Sequence, residues 1–154
     1  MRAVLKWGAL TGIGAYVITR IGFTYAALYA FGAAPAGPNN PGPIMFGCIG
    51  IFVILFMFSA AGYYAGGATR SAGIGALAGL LSCAVYAAAS AVYTPGQAAS
   101  TAVTGAGNST TRIVTQAVAA VAVFGIAALM GWLGGRPGAK NARKADQAST
   151  SSPV

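Results

Sequence analysis

The chain has 154 residues, 56% of them hydrophobic and 6% charged, with nine Lys and Arg, one acid and no His. A soluble domain carries about 25% charged residues, so this composition describes one small integral membrane unit. With Asp146 as the sole acidic side chain, the chain cannot build carboxylate pairs, His-based triads or His/Asp/Glu metal sites; no catalytic residue, cofactor or metal is expected, and no enzyme.

Arg2 and Lys6 lead into an apolar stretch from Trp7 to Phe31. It exceeds the roughly 7–15 apolar residues of a cleaved leader, so it is expected to remain as a first span, 7–31. Ala36-Gly37-Pro38-Asn39-Asn40-Pro41-Gly42-Pro43 follows, a loop because its prolines cannot continue a helix. A second span, 44–65, contains the unbroken apolar run Ile51 to Phe58. Gly66-Gly67-Ala68-Thr69-Arg70 reads as a tight turn, and a third span, 71–93, ends at Thr94-Pro95. The Ser/Thr/Gly/Ala-rich stretch from Gly96 to Arg112 is a loop, with Asn108 or Ser109 suited to cap a fourth span, 113–133. Gly134-Gly135-Arg136-Pro137-Gly138 is expected to stop that span. The organisation expected is a transmembrane domain, 1–135, and a basic disordered cytoplasmic tail, 136–154.

These runs are too long and lack the period-two alternation of a β-barrel. Backbone groups in lipid must be satisfied within their own segment, which leaves helices. The fold class expected is therefore all-α, an integral membrane four-helix bundle. Its orientation follows from the bases. With the N-terminus cytoplasmic, Arg2, Lys6, Arg70, Arg136, Lys140, Arg143 and Lys144 lie inside and only Arg112 outside, as the positive-inside rule asks. Both termini are then cytoplasmic. Trp7, Tyr63, Tyr64 and Trp132 fall at the inner interface, and Tyr25, Tyr29, Phe31 and Tyr93 near the outer one. Cys48 and Cys83 fall at different depths, which argues against a disulfide. The compact Ala/Gly-rich style points to a prokaryotic plasma (inner) membrane.

Glycine makes up 23 of the residues and is not confined to loops. Gly8, Gly12, Ala15, Thr19, Gly22 and Ala26 recur at steps of four and three, sharing one helix face. Gly62 and Gly66, Gly75 and Gly79, and Gly131 and Gly135 are each four apart. Lipid tails are as apolar as Leu, so helices in a bilayer associate through close approach at small residues. Gly8, Gly12, Gly22, Gly62, Gly66, Gly75, Gly79, Gly131 and Gly135 are thus expected to pack helices, within one bundle or in a homo-oligomer. The hairpin from Gly62 to Gly79, with Gly66-Gly67 and Gly73-Ile74-Gly75 at its centre, resembles the central hairpin of small Gly-rich four-span prokaryotic membrane proteins to which no function is assigned. The resemblance covers the hairpin and carries no functional residues across.

Arg20 is the one base inside a span. A charge at that depth is costly and by default a functional candidate, yet no acid in any span can pair with it. Tyr16 and Thr24 lie one turn to either side, and Ser82 and Tyr86 match them on the third span, so a polar seam of Tyr16, Arg20, Thr24, Ser82 and Tyr86 is expected. It can be a structural clamp, an anion site, or the docking point of a partner subunit's acid. Arg136, Lys140, Arg143 and Lys144 suit anionic lipid head groups; bases so dispersed do not suggest nucleic acid. The function expected is that of a structural, interaction or accessory membrane subunit. A small anion channel or transporter using Arg20 is the alternative, and a holin-like pore a further one. Small multidrug exporters share the four short spans but depend on a membrane carboxylate that this chain lacks.

Overall fold

A computed structural model describes residues 1–32, 42–92 and 109–150. Every regular element among them is helical: α1 (Arg2–Tyr16), a π-helical segment (Val17–Gly22), α2 (Phe23–Phe31), α3 (Gly42–Thr69), α4 (Ala72–Val92) and α5 (Ser109–Thr150). Three helices are long and apolar enough to cross a membrane, Gly47–Thr69, Ala72–Ala91 and Val118–Ala148. The stretch expected as an uninterrupted first span is instead α1, the π segment and α2 in succession. Helices α3, α4 and α5 pack on one another, α1 lies against α3 and α4, and α2 packs on α3.

The distribution of side chains is that of a protein solvated by lipid. The interior holds Ala15, Ala61, Ala65, Ala78 and Ala127, with Phe58 and Tyr16 as its large members, while Phe52, Phe56 and Val121 are each more than 70% exposed. Small residues inside let backbones approach, and large apolar residues outside meet acyl chains without cost. One cluster joins Ala61, Ala65 and Ala78, flanked by Val4, Trp7 and Ile74; a second joins Phe58, Cys83 and Ala127, flanked by Ile54 and Met130.

Glycines weld α3, α4 and α5 together. A Cβ placed on Gly62 would overlap the Gly131 carbonyl, and one on Gly66 would lie 2.7 Å from Gly135 Cα. From the other side, a Cβ on Gly131 would meet Gly75 O at 2.6 Å and Gly79 Cα at 2.9 Å. Gly134 and Gly138 press in the same way on the Ser59 and Tyr63 carbonyls. Helix α1 joins through Gly8, where a Cβ would be 2.9 Å from Leu81 Cδ2, and Gly12, where it would be 2.6 Å from Ser82 O.

Two boundaries differ from expectation. The turn expected at Gly66–Arg70 shrinks to Arg70 and Ser71, because Gly66 and Gly67 are held helical against Gly135 and Gly138. Arg70 ends α3 in the left-handed region, φ 56°, and Ser71 N–H donates to Gly66 O at 3.1 Å, the wrap-around bond of a Schellman cap. Nor does the fourth span stop at Gly134–Gly138, and 136–150 is not a disordered tail. Helix α5 continues through Pro137 to Thr150. Pro137 forfeits one backbone bond, but the glycines around it dock on α3, and the Ala/Lys/Arg/Gln sequence beyond consists mainly of good helix formers. The expected loops at 33–41 and 93–108, the Asn108 cap and the last four residues lie outside the described residues. Cys48 is exposed and Cys83 buried, and both are free thiols.

Candidate functional site

The polar seam runs between the first helical segment and α4, with a membership that differs from the expected one. Thr11 and Ser82, both buried, share a hydroxyl contact of 3.0 Å, while Thr11 also donates back to the Trp7 carbonyl at 2.6 Å. About one turn on, the Tyr16 and Tyr86 rings meet edge to face with centroids 6.5 Å apart. Thr19 Oγ1 donates to Ala15 O at 2.7 Å and lies 3.5 Å from the Tyr86 hydroxyl. Thr11 and Thr19 thus hold the places expected of Arg20 and Thr24. Thr24 is exposed and does not belong to the seam.

The cause is the π segment. Its i→i+5 pattern inserts an extra residue into the helix, so the four-three stripe loses register after Thr19. Gly22 and Ala26 are exposed, whereas the residues one place later, Phe23 and Ala27, are partly buried. Gly22 therefore packs no helix pair: the nearest atom to a Cβ built on it is Val17 O of its own segment, at 3.7 Å. Phe23 turns toward α3, its ring 3.5 Å from a Cβ built on Gly50.

Arg20 sits in the middle of this segment. Its Nε is buried with no hydrogen-bond partner, and so is Ser90 Oγ, one turn beyond Tyr86 on α4. A cavity of about 300 Å³ opens between α3, α4 and α5, walled by Ile51, Ile54, Leu55, Phe58, Cys83, Tyr86, Val123 and Ile126. Its lining is almost wholly apolar. Tyr86 belongs to both features: its ring lines the cavity and its hydroxyl meets Thr19, the residue before Arg20.

The four bases of the tail all lie on α5 and are exposed. Spaced at 136, 140, 143 and 144, they share a helix face. Arg136 lies over the Trp132 ring, 3.6 Å from its centroid. Arg143 donates to the Arg70 carbonyl at 3.1 Å, Asn141 to the Tyr63 hydroxyl at 3.4 Å, and Asp146 forms an ion pair with Arg70. At the same end Trp7 stacks on Tyr64 at 4.5 Å, and Lys6 lies 5.4 Å from the Trp7 ring. The strained Arg70 is thus the point at which the chain's single acid fastens α5 to the α3–α4 turn, a role that spacing alone did not reveal.

Searches against protein-family models, curated proteins and solved structures found no match to this chain.

Proposed function

We propose that the protein is a multi-pass, non-enzymatic membrane protein that acts as a structural or interaction subunit, with a fourth crossing made by α1, the π segment and α2. The observation that carries this reading is the backbone-to-backbone glycine packing of α3, α4 and α5 beneath a surface of large apolar side chains. A core of that kind holds helices rigidly together and leaves little room for the rearrangements of a transporter. The bases and aromatic rings gathered at the α3–α4 turn support placing both termini on the cytoplasmic side of a plasma membrane of prokaryotic type, in contact with anionic lipid through Arg136, Lys140, Arg143 and Lys144.

Anion transport through Arg20 is the second reading, favoured by its unpartnered Nε. Against it stands the apolar lining of the cavity beside Tyr86, because a conducting path needs polar walls or water. The deciding experiment is reconstitution of the full chain in liposomes. Alkaline carbonate should fail to extract it, cross-linking should report its oligomeric state, and chloride or phosphate efflux should match empty liposomes. Efflux that disappears in Arg20→Gln would replace the structural reading with the transport one.

A further inference from the structure

We infer that the π segment and the neighbouring cavity form a binding site for one anionic phospholipid, with its phosphate on Arg20 and an acyl chain between α3, α4 and α5. This rests on the membrane reading above and goes beyond it, because the site is specific and separate from the basic face of α5.

A guanidinium stays charged under all ordinary conditions. Removing one partner from a buried charge pair is costly because the other charge is left unmatched. Arg20 has a buried, unmatched Nε, and the chain's single acid is engaged with Arg70 at the opposite end of the helices. Any counter-charge for Arg20 therefore comes from outside the chain's side chains. Ser90 Oγ, another buried polar atom without a partner, lies on α4 one turn past the residue that touches Thr19. Unsatisfied donors thus lie, one residue and one turn away in sequence, next to the two partners of the Thr19–Tyr86 contact. A phosphate matches this set, since it accepts two parallel N–H bonds from a guanidinium and further bonds from hydroxyls.

The cavity chooses among anions. A free inorganic ion would use the donors and leave about 300 Å³ of apolar space empty; an amphiphile fills both. A membrane-embedded chain has phospholipid as its solvent, and the +8 net charge favours the anionic kind. Depth permits it: Tyr86 is six residues from the end of α4 at Val92, about 9 Å along the axis. A long Arg side chain can cover much of that distance toward an interfacial phosphate. The π segment supplies the local geometry, as such insertions often do at functional sites.

The test is native mass spectrometry of the full chain, released from detergent in the presence of phosphatidylglycerol or phosphatidylcholine. Extraction behaviour is scored first, so a failure of the membrane reading shows itself before lipid is counted. The expected result is one phosphatidylglycerol retained at activation energies that strip the rest, at least tenfold over phosphatidylcholine. That lipid should be lost in Arg20→Gln and in the cavity-filling Ile54→Trp, and kept in a Lys140→Gln, Lys144→Gln double variant. Circular dichroism identifies folded variants, and Ile54→Trp carries the test if Arg20→Gln does not fold. Equal retention of both lipids, or retention unchanged by either variant, overturns the proposal. So does binding of inorganic phosphate that Ile54→Trp leaves intact, or co-purification of an acidic membrane peptide in place of lipid.

Discussion

At the scale of single residues, the decisive property of a glycine is what stands opposite it. Gly125 and Gly131 lie on the same helix, yet a Cβ on Gly125 meets nothing within 4 Å, while one on Gly131 meets the Gly75 carbonyl oxygen at 2.6 Å. Gly→Ala in an unobstructed helix position is neutral or stabilising by up to about 1 kcal/mol. Inserting a methyl into a packed interface costs about 1–3 kcal/mol, and backbone atoms give way less readily than side chains. Gly131→Ala should therefore lower the thermal unfolding midpoint of the detergent-solubilised protein, followed by circular dichroism, and Gly125→Ala should leave it unchanged or raise it. Gly12→Leu should behave like Gly131→Ala but more severely, since its Cβ would sit 2.6 Å from Ser82 O. Phe56→Leu should be silent, its ring being 71% exposed. Equal effects at Gly125 and Gly131 would mean that α5 is not held by this contact. The close approaches at Gly62, Gly66, Gly75, Gly79, Gly131 and Gly135 were legible in the sequence, because four-residue spacing places small residues on one face whatever the partner. Gly22 was not: its spacing was right, but the face it belonged to had turned.

At the scale of elements, the two misread breaker signals share one physical origin: tertiary contact overrode a local signal. The π segment is invisible to a periodicity count: Arg20 marks Val17–Gly22 as unusual in charge, but no residue in it signals an inserted position. Gly66-Gly67 and Gly134-Gly135-Arg136-Pro137-Gly138 carry strong breaker signals, yet both stay helical because their glycines face one another across α3 and α5. The tail beyond Pro137 had a legible helix propensity that its polar composition concealed. Its docking is modest in strength. The Arg70 and Asp146 side chains are 58% and 52% exposed, and an ion pair that open to solvent contributes no more than about 1 kcal/mol, screened by salt. Asp146→Asn should accordingly speed amide exchange in residues 139–148 severalfold, without altering exchange in α4 or the overall unfolding midpoint. Molar salt should have the same effect on the natural chain and none on the variant. Protection in the variant equal to that in the natural chain would assign the docking to Asn141, Arg143 and the buried Ala139 instead.

At the scale of the whole molecule, the contest is between a first helical segment that crosses the membrane and one that enters and returns. Among the described residues three helices meet the length and hydropathy of a span; the segment from Arg2 to Phe31 is divided by the π segment into pieces too short to span alone. Packing argues for a crossing. Trp7 stacks on Tyr64 near the inner end of α3, Thr11 meets Ser82, Thr19 meets Tyr86, and Phe23 lies over Gly50. From Trp7 to Phe23 the chain thus advances steadily along α3 and α4, from the end that bears Arg70 toward the opposite end. A re-entrant segment would double back, and its N-terminus would share a side with the 33–41 connection. The two arrangements make opposite statements about three exposed positions. In a background of Cys48→Ala and Cys83→Ala, Arg2→Cys, Thr69→Cys and Lys140→Cys should all react with a membrane-impermeant maleimide from one face of oriented vesicles, and all be protected from the other. Labelling of Arg2→Cys from the face opposite Thr69→Cys would reduce the crossings to three, and the contacts of α1 with α3 and α4 would then need another geometry. Labelling of Lys140→Cys opposite Thr69→Cys would contradict the Arg70–Asp146 link itself, because two groups joined by an ion pair cannot lie on opposite faces of a bilayer.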